Sequence, residues 1–546
     1  MSLCRIEPEV TALVPPECLP YTTIPHTTRL FAEYSSHPDL LREYYPLLPA
    51  SKAWATAARL LHYDAQRREK VANVLERQNR EWNASPATLE SIARFRAGAS
   101  VMVTGQQVAL FGGPMFSLYK ALTAIKLAAE ATKSGSDCVP VFWLATEDHD
   151  LAEVNHVTLL DGDGRLHELR TTSHGTEDAP VGTVRLGAEI EGVVQQAARA
   201  LGSSEAEQFL RQSYRPGETL GSAFGRLFSL LFRDSGIVLL DASDPELHRI
   251  AEPVYRGAAL AAADLTSGLL GRSKALEAAG YHAQVKVTPS STLLFHIQNG
   301  ARSPIHWMNG GFQAGKEKLS VEALAARITS QPEQFSANVL LRPVVQDYLL
   351  PTLAYVGGPA EVAYFAQASV VYEELLGRVT PVAPRLSATL VEPRVKRLLD
   401  RYGLAVPDAF HPAEHLREAL ARHSLPTGLD ATFNSAAGSL AQSLDAVTTA
   451  LAGFDPTLAS AADKTRSKMS YQLDRLRGRA ARAQLHRNEL LARYAEELLS
   501  SLYPHKDLQE RRIGGISFVA RYGTGLLLRL YDSAVLECPG HQIIYL

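Results

Sequence analysis

Hydrophobic positions recur at helical spacing through the first hundred residues, as in KAWATAARLLHYDAQRREKVANVLERQNREW, and predict a helical lead-in. The pattern then changes. SVMVTG is a short β-branched run closed by Gly105, and the loop QQVALFGG follows it. After Pro114, the apolar residues Leu118, Leu122 and Ile125 fall four and three apart, on one face of a helix. VPVFWLAT is apolar along its whole length, the pattern of a strand covered on both faces. Strand, loop, helix and buried strand form a βαβ unit, so the predicted class is α/β with a Rossmann-like doubly wound core. Such sheets present ligands at the carboxyl ends of their strands.

Connecting segments interrupt this core. The stretch from about 159 to 235 turns polar and Gly-rich and then helical, and the apolar IVLL after it brings back a buried strand. Between about 280 and 330, HAQVKVTPSSTLLFHIQNGARSPIHW alternates with short turns and predicts an antiparallel excursion. Sheet character resumes in NVLLRPVVQDYLLPTLAYVGGPAEVAYFAQ. Past Arg385 the period is different: Phe433, Ala437, Leu440, Leu444, Val447, Leu451, Phe454 and Leu458 step by four and three, a heptad seam. A second ladder runs from Ala462 to Tyr494, and the two predict a helical hairpin or coiled coil. The expected division is a core over 1–386, an α-helical coiled-coil domain over 387–503, and a segment over 504–546 that returns to the core.

Composition narrows the function classes. A formal net charge of -3 provides no overall basic field, which argues against a dedicated nucleic-acid binder. No segment approaches the roughly 20 uninterrupted apolar residues of a membrane span, and a cytoplasmic protein is expected. Cys4, Cys18, Cys138 and Cys538 lie far apart with no C-x-x-C pair, so neither a disulfide framework nor a thiolate zinc site is expected.

Two constellations carry candidate chemistry. Glu147, Asp148, His149 and Asp150 follow directly on the buried VPVFWLAT strand, where a doubly wound sheet places its reactive groups. Asp150, three residues before Glu153, also has the spacing of a helix cap. His149 is a candidate general base at neutral pH. His149, Glu153 and His156 would share a helical face only if His149 lay inside the helix, and no metal site is assigned. GGP occurs twice, at Gly112, Gly113 and Pro114 and at Gly357, Gly358 and Pro359. Each could aim a helix N-terminus at an anion, with Gln106, Gln107, Lys120, Glu361, Tyr364 and Arg385 as neighbouring binding candidates. Neither G-x-x-x-x-G-K-[ST] nor G-x-G-x-x-G is present. ATP or another nucleotide is a candidate ligand with no site assigned.

VTGQQVALFGGPMFSLYKALTAIKLA, VPVFWLATEDHDLAEVNHV, NVLLRPVVQDYLLPTLAYVGGPAEVAYFAQ, PVAPRLS and LYPHKDLQER, in this order, resemble the bacillithiol biosynthesis cysteine-adding enzymes. The resemblance spans nearly the whole chain. It implies a Rossmann-like core similar to class I nucleotidyl-transfer enzymes, with a coiled-coil domain through which two chains pair as a homodimer. The chain departs from class I synthetases in having no H-I-G-H motif. The implied activity is a ligase joining L-cysteine to glucosaminyl malate in the last step of bacillithiol synthesis. Forming that amide requires an activated carboxyl group, a deprotonated amine and stabilisation of developing negative charge. Two other classes fit the residues alone. One is a metal-dependent hydrolase using the acidic quartet, and the other a non-enzymatic coiled-coil scaffold.

Overall fold

The computed structural model describes residues 16–48, 54–59, 61–172, 175, 178–308, 310–423 and 425–546. Cys4 lies outside them. The chain divides into two units: residues 1–388 with 510–542, and residues 389–509 with 543–546.

The centre of the first unit is a five-stranded parallel sheet. Its strands are β1 (Ser100–Gln106), β2 (Cys138–Leu144), β3 (Val238–Asp241), β4 (Thr352–Gly357) and β5 (Val382–Pro384), in the order β5-β4-β1-β2-β3. All neighbours pair in parallel, with Thr104 opposite Phe142 on one side and Val356 on the other. Every residue of β2 is buried, as its unbroken apolar run requires. The chain moves outward from β1 through β2 to β3 and then returns to the opposite side of β1 for β4. The strand order therefore reverses between β1 and β4, and that crevice is where such a sheet opens to a ligand.

Helix α1 (Phe116–Lys133) follows β1, and α2 (Pro359–Leu376) follows β4. Between β2 and β3 lie an antiparallel hairpin (His156–Leu160 with Leu166–Arg170) and the helices Glu189–Leu201, Glu205–Ser213 and Leu220–Leu231. Between β3 and β4 the strands Ser291–Gln298, Ala301–Met308, Gly311–Ala314, Glu317–Leu319 and Phe335–Ala337 form a separate antiparallel sheet.

The second unit is helical at its centre. Helices α3 (Thr427–Phe454) and α4 (Ala459–Arg487) make a hairpin turned at Pro456–Leu458. The two ladders meet within it, leaving Phe433, Leu440, Leu444 and Leu451 half-buried. Val447, Phe454, Met469 and Leu476 stay exposed, at 49%, 84%, 45% and 55%.

The cysteines differ from expectation. Cys18 and Cys538 are joined in a disulfide across a sequence separation of 520 residues, and Cys138 is a buried free thiol. Spacing conveys nothing about such a pair, because the fold alone brings the ends of the first unit together. No helix among the described residues is long and apolar enough to cross a membrane.

Candidate active site

A cavity of about 680 Å³ opens over the carboxyl ends of β1, β2 and β4. Gln106, Gln107, Lys120, Glu147, Asp148, His149, Gly358, Glu361, Tyr364 and Arg385 line it, so residues from both constellations converge. Six Lys or Arg side chains face it against three Asp or Glu, a lining biased towards anionic ligands.

At the switch point, the Lys120 ammonium donates to Gly105 O at 2.7 Å and to Gln106 Oε1 at 2.9 Å, and lies 2.5 Å from Glu361 Oε2. Glu361 also accepts from the Tyr355 hydroxyl at 2.5 Å and from the Gly358 N–H at 2.7 Å. Burial pushes the Glu361 carboxyl up, but Lys120 and these donors outweigh it and hold the group below its ordinary value. The anion at the N-terminus of α2 is thus the helix's own Glu361, whose carboxylate reaches back to the backbone N–H of the N-cap residue Gly358. Tyr364 accepts from Arg342 Nη2 at 2.9 Å. Arg385 donates to the buried Glu510 at 2.7 Å and to Leu386 O at 2.7 Å, so the fold already neutralises its charge.

The acidic quartet splits by function. Asp148 accepts from Gln107 Nε2 at 2.5 Å and, through Oδ1, from the His149 N–H at 2.7 Å. Glu147, 9% exposed, forms an ion pair with the buried His248 at 3.2 Å. Burial alone would lower the His248 pKa, yet the Glu147 carboxylate holds it above its usual value. His149 Nδ1 lies 3.1 Å from Arg302 Nη1. Asp150 does not line the cavity: its Oδ1 accepts the Glu153 N–H at 3.1 Å, capping the short helix Leu151–Val154.

The first GGP also lies outside the lining. Gly112 and Gly113 adopt φ of +86° and +70°, and a Cβ on Gly113 would sit 3.0 Å from that of Ala109. Their task is the turn itself, and the Met115 N–H at the start of α1 donates to Ile513 O at 2.8 Å. Gly357 ends β4 and is likewise absent from the lining, leaving Gly358 as the one glycine of the two motifs on the cavity wall. His149, Glu153 and His156 do not share a helical face. His149 precedes the helix and His156 begins the next strand, and no group of three His, Cys, Asp or Glu side chains among the described residues could hold a metal ion.

Sequence patterns did not reveal Arg302, Arg342 or Phe295. Arg302 and Phe295 reach the cavity from the inserted antiparallel sheet, and Arg342 from the helix Arg342–Leu349 before β4. Arginine inside an alternating strand was the only available signal, and it is not specific.

Comparison with known proteins agrees with this architecture. Residues 17–386 match the family model "Bacillithiol biosynthesis BshC, N-terminal Rossmann-like domain". Residues 388–546 match "Bacillithiol biosynthesis BshC, C-terminal coiled-coil domain". A protein of Koribacter versatilis named "Putative cysteine ligase BshC" is 50% identical over 529 residues, covering 97% of this chain and 99% of its own. Proteins of the same name from Solibacter usitatus and Geobacillus thermodenitrificans are 39% and 30% identical, each covering 96% of this chain and 99% of its own.

Proposed function

The chain belongs to the bacillithiol biosynthesis BshC family, and we propose that it is the ligase joining L-cysteine to glucosaminyl malate, the step that completes bacillithiol. One observation carries this reading: a single cavity at the β1/β4 switch point combines a surplus of cationic side chains with the Asp148–His149 pair. Glucosaminyl malate brings one amine and two carboxylates. Joining its sugar amine to the cysteine carboxyl leaves both malate carboxylates free for Arg302, Arg342 and Lys286 to hold.

The chemistry then needs three things from these residues. Malate anchoring fixes the sugar amine near the cysteine carboxyl, converting an encounter into a positioned attack. Asp148, turned by Gln107 and by the backbone of its neighbour, is the carboxylate placed to take the amine proton. Donors around the acyl carbon stabilise the oxyanion as the amine adds. The carboxyl must be activated first, for which a nucleoside triphosphate such as ATP is the co-substrate class of choice.

The same proposal includes a homodimer. Val447, Phe454, Met469 and Leu476 are apolar side chains of the helical hairpin that its own two helices leave exposed, and a second hairpin would cover them.

Metabolite analysis of a deletion strain tests the pathway assignment. Accumulation of glucosaminyl malate with loss of bacillithiol is expected, and undiminished bacillithiol would overturn the proposal.

A further inference from the structure

Arg302 is held on three sides. Its Nε donates to Ser336 Oγ at 2.9 Å and its Nη2 to Ala337 O at 2.6 Å, while its guanidinium carbon lies 3.8 Å from the centre of the Phe295 ring. The remaining terminal nitrogen, Nη1, is 3.1 Å from His149 Nδ1. A guanidinium has five N–H donors and no acceptor, and it does not deprotonate in a protein. The hydrogen in this contact therefore belongs to Arg302, and His149 Nδ1 is the acceptor. A neutral imidazole that accepts at Nδ1 carries its hydrogen on Nε2.

Asp148 does not compete for this arrangement. Its Oδ1 lies 3.7 Å from His149 Nδ1, beyond hydrogen-bond distance, and accepts the His149 backbone N–H at 2.7 Å instead. The charges bearing on Arg302 are the carboxylates of Glu147 and Asp148, which oppose the effect of its burial. Burial is the larger effect and holds the Arg302 pKa below its ordinary value.

We infer that His149 faces the cavity as a hydrogen-bond donor through Nε2, with Arg302 as the positioning residue that fixes its tautomer, so that His149 serves the acyl oxygen and does not receive the amine proton. This rests on the ligase reading above and reassigns the role within it. A base at this position would need a bare nitrogen directed at the substrate, and the bare nitrogen is the one turned to Arg302. In the reaction, the sugar amine adds to the activated cysteine carbonyl and the electron pair moves onto oxygen. The Nε2–H bond to that oxygen strengthens as the charge grows. The amine proton leaves to a carboxylate, and collapse of the adduct expels the activating group and restores the carbonyl.

Glutamine and asparagine separate the two roles, because a Gln amide nitrogen reaches the place of Nε2 whereas an Asn nitrogen reaches only that of Nδ1. We expect His149→Gln to keep kcat within about tenfold of wild type, and His149→Asn and His149→Ala to lose about 10²- to 10³-fold, as for removal of an oxyanion donor. All three should melt near the wild-type temperature. Nitrogen-15 spectra of histidine-labelled protein, with the His149 signal assigned by its disappearance in His149→Gln, should show hydrogen on Nε2. In Arg302→Met that signal should shift towards a mixture of tautomers. Gln as inactive as Ala in a folded protein, or hydrogen on Nδ1 in the wild type, overturns the inference. If wild type makes no adduct at all, the ligase reading fails instead, and the spectra alone still decide the tautomer.

Discussion

Lys120 and Glu361 meet at 2.5 Å across the point where the strand order reverses, one from the helix after β1 and the other from the helix after β4. The Lys120 side chain is buried, at 4% exposed, and that of Glu361 is partly buried, at 18%. This pair ties together the two halves of the sheet at the mouth of the candidate site.

Removing one partner leaves an uncompensated buried charge. Lys120→Met is expected to destabilise by about 3 to 5 kcal/mol, read by urea denaturation. The pH dependence follows from Glu361, whose folded value lies below its unfolded one. Its contribution is complete above an unfolded pKa of about 4.3 and is lost as pH falls below it. Wild type should therefore lose more stability between about pH 5 and 3 than Glu361→Gln does. Parallel acid profiles would show that the pair is not stabilising.

The two GGP motifs should separate under substitution. Gly113→Val meets a positive φ and the Ala109 side chain, and it should lower the melting temperature markedly. Gly358 has φ of −82°, which any residue adopts, and a Cβ there would lie 3.3 Å from Arg385 Nε and 3.5 Å from Glu361 Oε2. Gly358→Ala is expected to lower the melting temperature less than Gly113→Val does and to raise KM for glucosaminyl malate. Equal loss of stability in both variants would remove Gly358 from the site.

What the sequence made legible, and what it hid, follows from locality. β1, β2, α1 and the hairpin were visible because their residues sit at fixed periods along the chain, and a period is a local property. Gly358, Glu361 and Asp148 were visible because strand ends in a doubly wound sheet are privileged positions. His248 beside Glu147, Arg302 beside His149 and Glu510 beside Arg385 are 101, 153 and 125 positions from their partners by residue number. No periodicity reports such pairs. The disulfide went unread for the same reason, and the first GGP was over-read because a tight turn and an anion loop share one glycine pattern.

Those cysteines give a direct check. Peptide mapping of the non-reduced protein should recover Cys18 linked to Cys538. Cys138 should resist alkylation until the protein unfolds, since burial pushes its thiol up to about 12. Rapid labelling of Cys138 in the native protein would contradict its place in the core.

For the hairpin, Val447→Glu with Leu476→Glu alters side chains that are exposed in a single chain. The proposal predicts a dimeric wild type and a folded, monomeric double variant by sedimentation. A monomeric wild type refutes it, and a variant that stays dimeric places the contact elsewhere.

The most direct measurement of the central claim is mass spectrometry of purified protein incubated with isotopically labelled L-cysteine, glucosaminyl malate and ATP. We predict a product heavier than glucosaminyl malate by one cysteinyl residue. Asp148→Ala, folded as wild type, should reduce its formation by about 10²- to 10⁴-fold. Absence of that product from folded wild type, or its undiminished formation by Asp148→Ala, would contradict the account.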